Sequence, residues 1–237
     1  MTKKAIVLLS GGLDSSVTAF IAKNQGYDIY SLTFDYGQQH EKEIEAAADI
    51  AHALQSKKHI KFDINIDIFG GSSLLQKSSD TVPSASSLSE IGSFIPSTYV
   101  PARNTIFLSI ALSYAETQQA DAIFIGVTAA DYSGYPDCRP EYIRAFHYLT
   151  TLATKRTVQG HLINLKTPVI EKTKTQIILE GSRLGVPFEK TWSCYLGKAQ
   201  ACGRCESCFL RLKGFQDAGI PDPLPYKEFP DWYTLEP

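Results

Sequence analysis

The run "AIVLLSGGLDSSVTAF", from Ala5 to Phe20, constrains the fold more than any other part of the chain. Five apolar residues lead straight into Ser-Gly-Gly, as expected of a buried parallel strand that ends in a tight turn. After the turn, Leu13, Val17 and Ile21 recur at helical spacing, which indicates an amphipathic helix. The segment therefore predicts a strand–turn–helix unit of an α/β fold.

Apolar strands and amphipathic helices continue to alternate along the chain. Strands are predicted at 28–37, 58–64, 121–127 and 161–169, and helices at 41–54, 103–116, 140–153 and 172–185. This order predicts a doubly wound, mostly parallel α/β sheet. The helix at 103–116 is apolar nearly all round, so we expect it to be buried.

Residues 70–99 are serine-rich and lack periodicity, which indicates a long excursion over the active face or a tolerated surface insertion.

Composition and charge favour a soluble globular protein. The 237 residues are 43% hydrophobic and 20% charged, and the formal net charge is -2. A nucleic-acid-binding surface usually needs a basic patch, so we expect no nucleic-acid partner.

No apolar run reaches the ~18 residues of a membrane-spanning helix, and no signal-peptide cleavage site follows the short apolar run at the N-terminus. We therefore predict a cytoplasmic protein without a membrane partner.

The turn Ser10-Gly11-Gly12 lies at the carboxyl end of the first strand, where ligands bind in such sheets. Its glycines let the backbone approach a ligand, and the following helix N-terminus favours a phosphate. Hydroxyls of Ser10, Ser15 and Ser16 add neutral donors, while Asp14 would cap the helix or orient a substrate. The segment lacks the lysine of a Walker A loop and differs from the dinucleotide fingerprint. The alternative is a plain strand–helix turn.

Four of the five cysteines crowd together near the C-terminus. Cys194, Cys202, Cys205 and Cys208 have the spacing C-x7-C-x2-C-x2-C. In a reducing compartment such crowding favours a metal over disulfides. Four thiolates suit one tetrahedral structural Zn²⁺, with an iron–sulfur cluster or adventitious cysteines as the alternatives.

A third group of polar residues follows the strand predicted at 121–127. Its members combine carboxylates, a fork-shaped cation and aromatic faces: Asp131, Tyr132, Tyr135, Asp137 and Arg139. Such a set is suited to a flat heterocycle that bears a carboxylate. The alternative is a capped loop with a surface ion pair.

Two shorter segments lie at the same predicted edge of the sheet. Asp35 ends the second strand within "TFDYGQQHEKE", and Arg103 and Asn104 begin the apolar helix within "YVPARN". Arg103 is placed to meet a phosphate or a carboxylate, although an arginine at a helix start is often only a surface group. Cys138 has no adjacent histidine, so we interpret it as a buried wall residue.

The motif "SGGLDSS" resembles the PP-loop of the N-type ATP pyrophosphatases, which hold the pyrophosphate of ATP while an acceptor becomes an adenylate. The resemblance implies an adenine nucleotide alpha hydrolase-like fold. It also implies that ATP is bound by Leu9, Ser10, Gly11, Gly12, Leu13, Asp14, Ser15, Ser16, Val17, Thr18 and Ala19.

The motifs "SGGLDSS", "TFDYGQ", "VPARN", "DYSGYPDCRPE" and "TWSCY…CGRCESC" together resemble the 7-cyano-7-deazaguanine synthase family of queuosine biosynthesis. They occur in order from residue 10 to 208, and only the stretch at 70–94 is left unmatched. The resemblance implies a C–N-bond-forming ligase that converts 7-carboxy-7-deazaguanine and ammonia to the nitrile. An adenylated carboxylate, an amide and an adenylated amide would be its intermediates. ATP with Mg²⁺, a structural zinc and a homodimer are further implications.

The chain is expected to divide into an α/β domain at 1–190 and a zinc-binding segment at 191–237 that packs on the same domain. Three other functions compete with the ligase. A PP-loop tRNA-modifying enzyme such as a thiolase would use its cysteines to carry sulfur or a cluster. A glutamine-dependent synthetase would need a glutaminase domain, and a nonenzymatic nucleotide-binding or zinc-scaffold protein would bind ATP without releasing pyrophosphate.

Overall fold

The computed structural model describes residues 2–39, 42–79, 82, 95–129, 134–196 and 199–235. The predicted site residues Asp131 and Tyr132 lie outside these ranges, as do residues 80, 81 and 83–94 of the serine-rich stretch at 70–99.

Within these ranges one parallel sheet forms the centre of the molecule. Its strands are β1 (Lys4–Leu8), β2 (Asp28–Asp35), β3 (Lys58–Asp63), β4 (Ala122–Phe124) and β5 (Asn164–Lys166). Their order across the sheet is β3-β2-β1-β4-β5, which confirms the predicted doubly wound topology. The chain leaves β1 toward β2 on one side and later returns to β4 on the other. A crevice therefore opens at the carboxyl ends of β1 and β4, the usual ligand site of such a sheet.

The helices of the same ranges connect and cover these strands. They are α1 (Leu13–Asn24), α2 (Lys42–Leu54), α3 (Arg103–Gln118), α4 (Pro140–Leu152), α5 (Lys155–Val158), α6 (Lys174–Leu184) and α7 (Glu206–Ala218). Pro140 begins α4, where its missing N–H costs little, and Gly185 ends α6 with φ +71°. None of these helices combines the length and the apolarity that crossing a bilayer requires. Helix α7 was not among the sequence-based predictions.

The alternating side chains of β1 supply the core on both faces of the sheet. Ile6 packs with Leu108 in the cluster under α3, whereas Val7 packs with Ala19 and Ile50 in the cluster under α1 and α2. Both β1 residues are fully buried, as expected of a central parallel strand with helices on each side.

Three sequence-based expectations need correction. The strand predicted at 121–127 is only three residues long, Ala122–Phe124. The strand predicted at 161–169 is only three residues long, Asn164–Lys166, because the chain turns away on both sides of its pairing with β4. Helix α3 is not buried all round: Leu108 and Ala111 are fully buried, whereas Ile106 and Ile110 are only partly covered. A helix that lies on one face of a sheet buries only the side turned toward it.

The C-terminal segment packs on the α/β domain through α7. Phe215 joins Val17 and Ile178 in one apolar cluster between α1, α6 and α7. Beside it, the buried guanidinium of Arg211 donates to both carboxylate oxygens of Asp222, with N···O distances of 2.7 and 2.9 Å.

Further contacts of this ion pair reach the chain on both sides of α7. Arg211 also donates to the Thr191 hydroxyl at 2.7 Å and the Phe188 carbonyl at 3.2 Å, and Tyr226 donates to Asp222 at 2.7 Å. One charge pair thus holds the 188–191 turn, α7 and the C-terminal tail together. The domain boundary at 190/191 stays a prediction.

We predict that Asp222→Asn lowers the free energy of unfolding by about 3–5 kcal/mol, because it leaves the buried charge of Arg211 uncompensated. Urea denaturation followed by circular dichroism measures the change. Asp217→Asn is the matched control, since its ion pair with Lys213 is half-exposed and contributes below about 1 kcal/mol. Equal losses in the two variants would contradict a stabilising role for the buried pair.

Candidate active site and metal centre

The turn between β1 and α1 is packed so closely that Gly11 has no room for a side chain. Gly11 has φ +80°, and a Cβ atom there would collide with the backbone of Glu43 and approach the Ala47 nitrogen to 2.6 Å. Gly12 has an extended backbone and serves as the N-cap of α1. The loop therefore lies directly against α2 at the carboxyl edge of the sheet.

Serine hydroxyls fix the shape of this loop by bonding within it. The Ser10 and Ser15 hydroxyls lie 2.9 Å apart, and the Ser10 amide donates to Ser15 Oγ at 3.2 Å. Ser16 is fully buried and donates to the Gly12 carbonyl at 2.7 Å. Ser10 is exposed at the loop surface. Ser10 and Ser15 thus remain at the ligand side of the loop, whereas Ser16 holds the turn from behind.

A cavity of about 310 Å³ opens above this loop. Several residues that the sequence predicted lie on its wall: Leu9, Ser10, Gly12, Leu13, Asp14, Ser15, Arg103, Asn104 and Tyr135. Cys138 also lines the cavity and is buried, which agrees with its interpretation as a wall residue.

The other predicted residues that the structure describes do not line this cavity. Gly11 and Ser16 support the loop as described above, and Val17, Thr18 and Ala19 are buried on the core side of α1. Asp35 forms an ion pair with Lys61 at 2.8 Å.

The two remaining predicted residues are engaged with backbone groups. Arg139 is exposed and donates from Nε to the Pro136 carbonyl at 3.2 Å. Asp137 accepts from the Asn104 amide at 2.9 Å and so fixes the start of α3.

Lys174 brings a positive charge to the loop that the sequence pattern did not reveal. Its ammonium lies 2.8 and 2.7 Å from the two carboxylate oxygens of Asp14. Asp14 thus faces a lysine, and a cation lies beside the neutral hydroxyls of the loop. Lys174 begins α6, 160 residues after Asp14 in sequence. Its place at the start of a helix after a predicted strand was the only available signal.

Arg103 brings a second positive charge to the cavity, close to Tyr36, Tyr135 and Glu43. Its guanidinium donates to the Tyr36 hydroxyl at 3.0 Å and lies 5.5 Å from the centre of that ring. Glu43 lines the cavity nearby. Burial raises the pKa of Glu43 to about 7, the charge of Arg103 opposes this rise, and Cys194 adds to it. The cavity thus contains a carboxyl group that exchanges its proton near neutral pH.

The four C-terminal cysteines converge on one point. Their sulfur atoms all lie within 4.8 Å of one another, and Cys202 and Cys208 are 3.8 Å apart. Around one Zn²⁺ with Zn–S bonds of about 2.3 Å, tetrahedral sulfurs are about 3.8 Å apart. A multi-iron cluster binds its cysteines through separate irons and needs wider spacing. The sulfur set therefore fits a single tetrahedral ion.

Backbone amides point at two of these sulfurs and favour their thiolate form. Cys194 accepts from the amides of Cys202 and Leu196 at 3.3 and 3.4 Å. Cys202 accepts from the amides of Cys205 and Arg204 at 3.2 and 3.3 Å. Metal ligation requires deprotonated thiols, so this arrangement suits a cation.

Trp192 connects the four-cysteine cluster to the Ser10–Ser16 loop. Its amide donates to the Gly11 carbonyl at 2.8 Å, and its indole donates to the Cys194 carbonyl at 3.1 Å. The Lys42 ammonium lies 3.5 Å from the centre of the indole ring. The cysteine-rich segment therefore forms part of the cavity wall.

The fold and the site define a doubly wound α/β protein of the PP-loop class with four close cysteines that could hold a metal ion. The profile of the family described as "Queuosine biosynthesis protein QueC" matches residues 4–219, and the chain belongs to this family.

Two relatives support this membership, and one solved structure shares the fold. The chain is 52% identical over 229 residues to a 7-cyano-7-deazaguanine synthase of Thermosynechococcus vestitus, covering 97% of this chain and 98% of that one. It is 51% identical over 226 residues to the synthase of Cellvibrio japonicus, covering 94% and 98%. NMN synthetase from Francisella tularensis superposes with a TM-score of 0.51 at 16% identity, covering 93% and 79%. This last similarity concerns the fold alone.

We predict that Glu43→Gln becomes progressively more stable relative to the wild type as pH rises from about 5 to 7. In this window Glu43 stays protonated in the folded protein, whose pKa of about 7 exceeds the ordinary 4.5, but ionises in the unfolded chain. Ionisation of the unfolded chain lowers the stability of the wild type only. Urea denaturation at several pH values measures the difference, which should level off above about pH 8. A difference that does not change with pH would contradict the burial of this carboxyl group.

Proposed function

We propose that this protein is a 7-cyano-7-deazaguanine synthase, an ATP-dependent ligase that converts 7-carboxy-7-deazaguanine and ammonia to the nitrile. The observation that carries the proposal is one cavity in which the Ser10–Ser16 loop and Arg103 are within reach of one ligand. The chain also matches such synthases over nearly its whole length.

The Ser10–Ser16 loop would hold the pyrophosphate part of ATP. Its amides and the N-terminus of α1 attract the phosphates, and the ammonium of Lys174 adds positive charge. Asp14 would position Lys174 through their ion pair. Mg²⁺ bound together with ATP would neutralise a further part of the triphosphate charge.

In the proposed reaction, the two oxygens of the substrate carboxylate are adenylated one after the other. A carboxylate oxygen attacks the α-phosphorus of ATP, and pyrophosphate leaves. Ammonia then adds to the acyl carbon, loses a proton and displaces AMP, which gives the amide. The amide oxygen attacks the α-phosphorus of a second ATP, and loss of AMP and the remaining N–H protons gives the nitrile. Both original carboxylate oxygens thus leave on AMP.

This chemistry asks the protein mainly to position two anions and to balance charge. Arg103 presents a planar fork that matches a carboxylate, and Tyr36 holds it in place. Glu43 is suited to accept the proton that ammonia loses, because its pKa lies near neutrality. Asn104 and Tyr135 would complete the wall beside the base. Asp131 and Tyr132 stay predictions, as do Asp35 and Arg139, which lie away from the cavity.

We propose one structural Zn²⁺ per chain, held by Cys194, Cys202, Cys205 and Cys208. Four sulfur ligands close its coordination shell, so it leaves no position for water or substrate. Elemental analysis should find one zinc per chain, and iron with sulfide would overturn the assignment.

We also propose a cytoplasmic homodimer. Exposed apolar side chains on one helix support a subunit interface, since Tyr148 and Leu152 of α4 are 66% and 60% exposed.

The function is tested by incubating the protein with ATP, ammonia and 7-carboxy-7-deazaguanine and detecting the nitrile by mass spectrometry. We expect two AMP and two pyrophosphate for each nitrile. Formation of ADP, or AMP release that depends on added tRNA, would contradict the proposal.

We predict that Asp14→Ala and Ser10→Ala reduce pyrophosphate release by about 100-fold or more while the fold is retained, because both remove preorganised groups at the ATP phosphates. Steady-state assays and circular dichroism measure the two effects. Asp49→Ala, on the exposed side of α2, is the control and should remain as active as the wild type. Wild-type rates in both loop variants would remove the loop from the site.

A further inference from the structure

Among the described residues, three carboxylates line the cavity: Asp14, Glu43 and Glu206. Asp14 is paired with Lys174 at 2.7 Å, and Glu43 is within the field of Arg103. Glu206, the first residue of α7, forms no hydrogen bond or ion pair with any other described residue. It is only partly exposed, so its carboxylate faces the cavity without an ion pair to any cation of the described ranges.

Two tyrosines lie next to Glu206. Burial raises the pKa of both Tyr135 and Tyr195, and the charge of Glu206 adds to the rise in each case. The Tyr135 hydroxyl lies 2.9 Å from the Thr98 hydroxyl and is also bonded to Tyr195. The phenols are therefore engaged with each other and with Thr98. In the part of the chain that the structure describes, no group donates to the Glu206 oxygens, so they are available to a bound ligand or to water.

The ionised carboxylate of Glu206 can only accept hydrogen bonds, so it binds groups that donate them. Its two oxygens suit a pair of parallel N–H donors. The guanine-like edge of a 7-deazaguanine offers such a pair in its ring N1–H and its 2-amino group. The adenine edge of ATP offers one donor beside one acceptor, and that acceptor would face a carboxylate oxygen.

We propose that Glu206 is the residue that recognises the base of the acceptor substrate, accepting hydrogen bonds from N1–H and the 2-amino group. Tyr135 and Tyr195 supply aromatic surface beside it. The inference rests on the proposed function and deepens it, because it assigns the α7 side of the cavity to the deazaguanine and the loop side to ATP. Glu206 would thereby keep ATP from binding in the wrong half of the cavity.

The test compares two ligands by isothermal titration calorimetry in the absence of ATP. One is 7-carboxy-7-deazaguanine, and the other is the same heterocycle without its 2-amino group. Loss of one charge-assisted hydrogen bond should weaken binding to the wild type by about 10- to 100-fold. Glu206→Gln keeps the side-chain shape but replaces one acceptor by a donor, so it should bind the first ligand poorly and discriminate little between the two.

Two controls separate recognition from folding. Glu189→Gln changes an exposed glutamate and should keep the wild-type affinities and their ratio. ATP affinity, bound metal and Tm should be unchanged in Glu206→Gln. If Glu206→Gln loses its metal, Glu206→Asp replaces it, and its shorter carboxylate should reduce the ratio of affinities with the metal still bound.

Unchanged affinity and discrimination in a folded Glu206 variant would overturn the inference, while nitrile formation by the wild type would leave the proposed function standing. An equal loss of ATP and deazaguanine affinity would also overturn it, because Glu206 would then act on the whole cavity. If the wild type binds neither deazaguanine and forms no nitrile, both the proposed function and the inference fail.

Discussion

The backbone of the loop between β1 and α1 is held by close contacts on three sides. Gly11 lies against α2, and a Cβ atom at Gly126, just after β4, would lie 2.8 Å from the Asp14 carbonyl. From the third side, the Trp192 amide donates to the Gly11 carbonyl at 2.8 Å. These contacts fix where the loop amides point. In the proposed function, this fixed loop is the anion site relative to which the other cavity groups are placed.

The cysteine-rich segment has a clear task in this arrangement. It places Trp192 against the loop and Tyr195 and Glu206 on the cavity wall. The cysteines gather the chain around one point, and the buried pair of Arg211 and Asp222 fastens α7 from the other side. A metal held by these cysteines would therefore influence ligand binding without touching the ligand, because residues that line the cavity are neighbours of the cysteines in the chain.

The fold and part of the site could be predicted because their signals are local. The loop at Ser10–Ser16 and the four cysteines each occupy a short stretch, and the strand–helix alternation follows from side-chain periodicity. Lys174 and Glu206 were missed because their roles depend on how distant elements meet at one edge of the sheet. Periodicity also overstated the burial of α3, since an apolar pattern does not say which faces of a helix find a partner.

The sequence did not show which of the polar residues near the carboxyl edge of the sheet would line the cavity. Asp35 and Arg103 both lie near the carboxyl edge of the sheet, yet only Arg103 lines the cavity. The difference is set by the partners that each finds: Asp35 is bound by Lys61, on the neighbouring strand β3, whereas Arg103 is turned inward by Tyr36. Such choices depend on tertiary contacts that one sequence does not display.

The most direct test of carboxylate activation follows the two carboxylate oxygens of the substrate. When 7-carboxy-7-deazaguanine carries oxygen-18 at both positions, each adenylation should transfer one labelled oxygen to AMP. Mass spectrometry should then find one oxygen-18 atom in every AMP and none in pyrophosphate. Unlabelled AMP, or label in pyrophosphate, would contradict attack of the substrate oxygen on the α-phosphorus.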